Sequence, residues 1–302
     1  MDKLNFVFFG TPDVASETLE ILKQAGFLPS LIVTSPDAKK GRGLEMQASP
    51  VSIFAENNFI DCIKPEKLDK EEVWDVLRTL GRSDGDGQRK FSAENFRGEQ
   101  NMPDFFLVVA YGKIIPEEIL NIPKFGSINI HYSLLPKYRG ASPVESAILN
   151  GDAVTGVTIQ QMAYKMDAGP IITQEKVEIL PNEKAPELRK RLIKIGGELL
   201  VKTLPELIKG KIKAIPQDEK EATNCKKIKK EDGLMDLNDN AIKNYNKWRA
   251  YAFWPRTFFF KNSKRVIVTD AVFENNQFII KKVLPEGKKE IKYEEFLKTN
   301  PS

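Results

Sequence analysis

Among 302 residues there is one histidine, His131, so imidazole acid–base chemistry near neutral pH is confined to that side chain. It closes the stretch Gly-Ser-Ile-Asn-Ile-His (126–131), in which apolar and polar residues alternate. Asn129 and His131 are two apart, and on an extended strand that spacing puts both side chains on one face. A carboxamide and an imidazole then share the end of a strand. A third polar group is Asp167 in Met166-Asp167-Ala168-Gly169-Pro170, where Gly and Pro mark a tight turn. An amide donor, an imidazole and a carboxylate in one place can stabilise a developing oxyanion and move a proton. A lone histidine is more often a surface or hydrogen-bonded core residue than a catalyst, so spacing alone does not assign chemistry to it.

Composition removes several classes. Cys62 and Cys225 are isolated and there is a single histidine, so neither a disulfide framework nor a zinc site is expected. No apolar run reaches the ~18 residues of a membrane span. The run Leu4–Phe9 is too short for a signal sequence, which makes the cytoplasm the expected location. The net charge of +4 is uneven: residues 1–206 hold 25 Lys+Arg against 29 Asp+Glu, and residues 207–302 hold 21 against 13. A summed positive field over the C-terminal part suits a polyanionic partner, or simply a lysine-rich solvated surface.

The elements that must position these residues follow from pattern. Leu4–Phe9 is an apolar run broken at Gly10-Thr11-Pro12-Asp13, followed by a helical spacing through Val14, Leu19 and Leu22 and a second apolar run, Leu31–Thr34. This strand, helix, strand order opens a parallel α/β sheet. One glycine is not GxGxxG, so a nicotinamide dehydrogenase is excluded. Residues 34–50 form a long connection made basic by Lys39, Lys40 and Arg42, and Ser49-Pro50 reads as a cap with proline at the first helical position. Phe59–Ile63 is a short strand and Glu66–Leu80 a helix. Residues 81–102 are a polar insertion without periodicity, and its Asp-Gly-Asp-Gly run lacks the further ligands of a calcium loop. Asp104–Ala110 is a buried strand. Ser142-Pro143-Val144-Glu145 has the form of a capping box, Thr155–Met162 and Pro170–Ile179 are β-rich, and Glu183–Ile208 is a long amphipathic helix. A helix over 238–249 and short strands at 257–260, 266–272, 277–283 and 291–296 suggest a small barrel, with Trp254 and Phe259 as exposed aromatics. The expected organisation is α/β: an N-terminal open, mostly parallel Rossmann-like sheet in a catalytic domain over 1–208, and a linker plus small C-terminal OB-like β-barrel over 209–302.

With these elements in place, the motifs resemble those of the folate-dependent formyltransferase family. They are FFGTPDVASETL (8–19), TSPDAKKGRG (34–43), VVAYGKIIP (108–116), INIHYSLLPKYRGASPV (128–144), GVTIQQM (156–162), MDAGPI (166–171), ATNCKKIKKEDGLMDL (222–237) and RAYAFWPRTF (249–258). Together they span nearly the whole chain except 81–102 and about the last 35 residues. The NxH, SLLPKYRG and DAGP combination is specific to the family's fold. TSPD, GRG and SPV, with the C-terminal part, are similar to the members that formylate initiator methionyl-tRNA.

That resemblance implies transfer of a formyl group from 10-formyltetrahydrofolate, as co-substrate, to the methionyl amine of initiator methionyl-tRNA, with no metal. Asn129 and protonated His131 would stabilise the oxyanion and Asp167 would be the charge partner of the ring. The folate slot would be built from Val109, Ala110, Tyr111 and Gly112, from Ser133, Leu134, Leu135 and Pro136, and from Tyr164, Lys165 and Met166. Lys39, Lys40 and Arg42 would grip the acceptor end of the tRNA, with the C-terminal domain on phosphates further along. No membrane and no obligate protein partner is implied. Two departures stand out: Glu45 follows the basic loop where relatives carry more lysine, and Tyr132 stands where a small residue is usual. The alternatives are a formyltransferase for a sugar-nucleotide amine and a catalytically silent RNA-binding relative.

Overall fold

The computed structural model describes residues 4–40, 44–68, 71 and 102–300. The insertion at 81–101, most of the expected 66–80 helix, and Arg42 lie outside the described residues.

The first apolar run is strand β1 (Phe6–Gly10), every residue of which is buried. Helix α1 (Asp13–Gln24) returns along the sheet with Ala15, Thr18, Leu19 and Leu22 buried, and with Asp13 in its first turn and Lys23 in its last, both favourable to the helix dipole. Strand β2 (Leu31–Val33) follows. The basic connection is not simply a loop: β3 (Ala38–Lys40) and β4 (Glu45–Gln47) pair as an antiparallel hairpin, Lys39 opposite Met46. Its side chains alternate too weakly for pattern reading to have marked it. Helix α2 (Pro50–Asn57) starts where expected: Ser49 Oγ accepts from Ser52 N at 3.0 Å and Pro50 opens the helix. The expected 59–63 strand is reduced to β5 (Cys62–Ile63).

Strand β6 (Phe105–Val109) is fully buried, α3 (Glu117–Leu120) is one turn, and β7 (Ser127–His131) carries the histidine. After β8 (Arg139–Gly140), helix α4 (Pro143–Leu149) has proline in its first turn, but Ser142 makes no side-chain cap. The capping box fails because Glu145, buried, pairs with Arg189. Strands β9 (Val154–Gln161) and β10 (Ile171–Glu178) lead to helix α5 (Ala185–Ile208). The large sheet runs β10-β9-β7-β6-β1-β2-β5. The pairs β1/β2, β1/β6, β6/β7 and β2/β5 are parallel and β7/β9 is antiparallel. Val7, Phe9, Val33, Phe106, Val108 and Ile119 are the centre of its core.

Further along are β11 (Asn224–Cys225), which pairs parallel with β8, and α6 (Ala241–Ala250), capped by Asn240. Strands β12 (Phe258–Lys261), β13 (Lys264–Glu274), β14 (Gln277–Pro285) and β15 (Ile291–Lys292) form a four-stranded antiparallel sheet in that order. The expected 291–296 strand stops after two residues. Helix α7 (Tyr293–Thr299) follows, burying Phe296 against Phe259 and Tyr293. Phe259 is therefore a core residue and not a surface one, whereas Trp254 is exposed.

Backbone contacts divide the chain into two compact units: 1–131 with 158–174 and 193–217, and 132–157 with 175–192 and 218–302. Among the described residues no helix is long and apolar enough to cross a membrane.

Candidate active site

Strands β7 and β9 run antiparallel, and their register opposes Asn129 to Gln160 and His131 to Thr158. The two-residue spacing on β7 is thus mirrored on β9, and four polar side chains meet across one strand pair. Asn129 Nδ2 donates to Val108 O on β6 at 2.9 Å. Gln160 Nε2 donates to Asn129 Oδ1 at 3.3 Å and to Asp167 Oδ1 at 3.0 Å. The other carboxylate oxygen, Asp167 Oδ2, stands 3.6 Å from Nδ1 of the buried His131. The three residues singled out by type and spacing are brought together, with a glutamine between them.

The turn that delivers Asp167 is tight. Asp167 has φ +51, in the left-handed region that Asp and Asn tolerate better than most residues. Gly169 is required by contact: a Cβ there would sit 1.9 Å from Gln161 O. The carbonyls of Asp167 and Gly169 both accept from Gln217 Nε2, at 2.8 and 2.7 Å. Neither Gln160 nor Gln217 was found from the sequence. Gln160 carried a readable signal, a polar residue two places from Thr158 and so on the same face of the strand. Gln217 carried none, because it lies in an irregular segment 50 residues from Asp167.

The remaining candidates are placed as follows. Val109, Ala110, Tyr111 and Gly112 leave the end of β6 with Ala110 at φ +47 and Gly112 at φ +79. Tyr111 is buried edge-on against Phe9, and its carbonyl accepts from Thr11 Oγ1 at 3.2 Å. Its hydroxyl has no hydrogen-bond partner among the described residues, and burial pushes its pKa up to about 12. Tyr164, Lys165 and Met166 precede Asp167 and are exposed, Tyr164 by 74% and Met166 by 65%. Ser133, Leu134, Leu135 and Pro136 follow β7 in the second compact unit. There Ser133 Oγ donates to Lys137 O at 2.6 Å and Leu135 is buried. Lys39 lies exposed on the hairpin, and Lys40 is on the same strand.

Tyr164 and Met166 are exposed in the segment that leads into Asp167. The polar cluster itself fits acyl chemistry, with N–H donors and a base within one strand pair.

Residues 3–204 match the formyl transferase family model, and residues 227–279 match the model of its C-terminal domain. The chain belongs to the formyl transferase family. A methionyl-tRNA formyltransferase from Thermotoga sp. (strain RQ2) is 40% identical over 248 residues, which is 82% of this chain and 72% of the relative. Among solved structures, an N-formyltransferase from Helicobacter canadensis in complex with folinic acid and dTDP-3-aminofucose superposes with a TM-score of 0.60. It is 21% identical, and the match covers 91% of this chain and 89% of that one. A methionyl-tRNA formyltransferase from Clostridium thermocellum superposes with a TM-score of 0.58 at 16% identity, covering 96% of this chain and 99% of that one. At these identities the solved structures show the fold.

Proposed function

We propose that this formyltransferase moves the formyl group of 10-formyltetrahydrofolate onto the methionyl amine of initiator methionyl-tRNA. The observation that carries the reading is the cluster of Asn129 and His131 on β7, Gln160 on β9 and Asp167 in the turn after β9. Identity to enzymes named for that acceptor supports the choice of amine.

The chemistry asked of the chain is limited. The neutral amine attacks the formyl carbon and a new C–N bond forms; the attacking nitrogen gives up one proton and N10 of the folate takes one as the bond from that carbon to N10 breaks. Asn129 has two amide hydrogens. One is held by Val108 O, and the second is assigned to the formyl oxygen as negative charge develops on it. With His131 Nδ1 turned to Asp167, Nε2 points away from the carboxylate and is assigned as the second donor to the same oxygen. Donors already in place at that oxygen lower the barrier without reorganising during the reaction. Asp167 orients the ring and accepts, directly or through water, the proton that the incoming ammonium must lose. Tyr164 and Met166 would cover the pterin faces, and Lys39, Lys40 and Arg42 would meet the tRNA backbone.

The test is an acceptor comparison with 10-formyltetrahydrofolate as donor: charged initiator methionyl-tRNA against an aminosugar nucleotide and small amines. Formylation of the charged tRNA with the highest kcat/KM is expected. Faster formylation of the aminosugar nucleotide would overturn the choice of acceptor, and no transfer to any amine would overturn the reaction.

A further inference from the structure

We propose that Gln217 is a positioning residue for formyl transfer, acting on the Asp167 turn directly and on Asn129 through Gln160. The inference rests on the roles assigned above to Asn129, His131 and Asp167.

Gln217 comes to the sheet on an isolated antiparallel bridge, Ile171 to Ile215, closed by two backbone hydrogen bonds of 2.8 Å. Two residues on, its Nε2 donates to the carbonyls of Asp167 and Gly169 at 2.8 and 2.7 Å, and stands 3.4 Å from Gln160 Oε1. A primary amide has two hydrogens, and both short contacts are to carbonyl oxygens. The orientation of the carboxamide is thereby determined, because its own oxygen turned that way would face two acceptors. One side chain thus holds the carbonyls on either side of Ala168, in a turn whose Asp167 sits in the left-handed region at φ +51.

Gln160 passes this order on. Its two N–H groups are divided between Asn129 Oδ1 and Asp167 Oδ1. Receiving a hydrogen on Oδ1, the Asn129 carboxamide cannot flip without losing that bond and the one to Val108 O. Its nitrogen therefore remains on the side where a donor is needed. With Oδ1 of Asp167 engaged by Gln160, Oδ2 is the oxygen nearest His131. If Gln217 served only to anchor its own segment, the Ile215 bridge would already suffice. Its side-chain amide instead donates to the turn and meets Gln160.

The test uses the full-length enzyme with 10-formyltetrahydrofolate and charged methionyl-tRNA. Gln217→Leu, and Gln217→Asn as the milder change should the first not fold, are expected to lower kcat by up to about 100-fold, the cost of misplacing reacting groups by about 1 Å. The donor KM should change little. In an Asp167→Asn background the same substitution should cost clearly less than in the wild type, leaving only the part that reaches Asn129 through Gln160. His131 is the only histidine, so its imidazole NMR signals can be read without any acceptor. They should move in Gln217→Leu in the direction in which Asp167→Asn moves them. Folded Gln217 variants with wild-type kcat and unmoved His131 signals would overturn the proposal, as would losses that multiply with Asp167→Asn. If Asn129→Ala keeps full turnover, the assignment of the site itself is wrong. An inactive Asn129→Ala beside a fully active Gln217→Leu refutes only the role of Gln217.

Discussion

Asn129 and Gln160 lie directly opposite each other on antiparallel strands, joined by a hydrogen bond of 3.3 Å from amide to amide. The pair links two segments that the chain separates by 31 residues, and Gln160 also donates to the Asp167 carboxylate at 3.0 Å. The chemistry assigned to this site depends on that register, because a slip of one residue would turn Gln160 to the other face of the sheet.

Removing a donor tests the roles directly. Asn129→Ala and His131→Ala are each expected to lower kcat by roughly 10²- to 10³-fold, about 3 to 4 kcal/mol of barrier. Combined, they should lower it by less than the product, since both address one oxygen. Steady-state kinetics on variants with unchanged thermal unfolding would decide, and full activity of His131→Ala would refute the assignment.

Gly169→Ala should damage stability and turnover together. The added carbon meets Gln161 O at 1.9 Å, so the Asp167 turn must move away from β9, and forced repacking of this kind costs about 1 to 3 kcal/mol. Denaturant midpoints and kcat measured side by side would check it. A loss of stability with intact kcat would show that the turn relaxes elsewhere.

Alkaline stability follows from buried phenols. Burial pushes the pKa of Tyr111 from its usual value of 10.0 up to about 12, and burial with the hydrogen bond to Asp152 does the same for Tyr138. Above pH 10 the unfolded chain releases these protons and the folded chain keeps them. Their contribution is therefore whole below about pH 10 and is lost as pH rises toward 12. Tyr111→Phe should flatten the fall of unfolding free energy across that window. Below it, the substitution should be neutral or stabilising by about 1 kcal/mol, because the hydroxyl removed has no hydrogen-bond partner among the described residues. Urea denaturation at stepped pH reads both effects.

The basic connection should affect the acceptor and not the donor. Replacing Lys39, Lys40 or Arg42 by Ala is expected to raise KM for charged tRNA and leave the folate KM unchanged. The salt dependence of tRNA binding should flatten by about one unit of slope for each phosphate that is no longer neutralised. Equal weakening of both affinities would end this division of roles.

A buried carboxylate in the second compact unit offers a control outside the assigned site. Arg191 Nη1 lies 2.7 Å from each oxygen of Glu183, whose side chain is 4% exposed. Arg191→Met should cost roughly 2 kcal/mol, and Glu183→Gln in that background should recover part of it by removing the unpaired charge. Additive losses in chemical denaturation would contradict this.

Where an element is dictated by local periodicity or by a cap, it is legible in advance. β1, β6 and β7 are short apolar runs bounded by turn residues, α2 begins at the Ser49-Pro50 cap, and α5 follows its amphipathic spacing. Local pattern misleads where a distant partner decides. Ser142 does not cap because Glu145 is taken by Arg189, and the last expected strand becomes helix with Phe296 packed on Phe259.

The same division runs through the site. The single histidine, the asparagine two places before it and the Asp-Ala-Gly-Pro turn were determined by the sequence alone, because residue type and a period of two need no tertiary information. Only the folded chain decided that β9 would lie antiparallel to β7 in the register that opposes Gln160 to Asn129. Only it brought Gln217 onto the carbonyls of Asp167 and Gly169. Strand register and the course of an irregular segment are set by long-range packing and hydrogen bonding, which no short stretch of residues encodes.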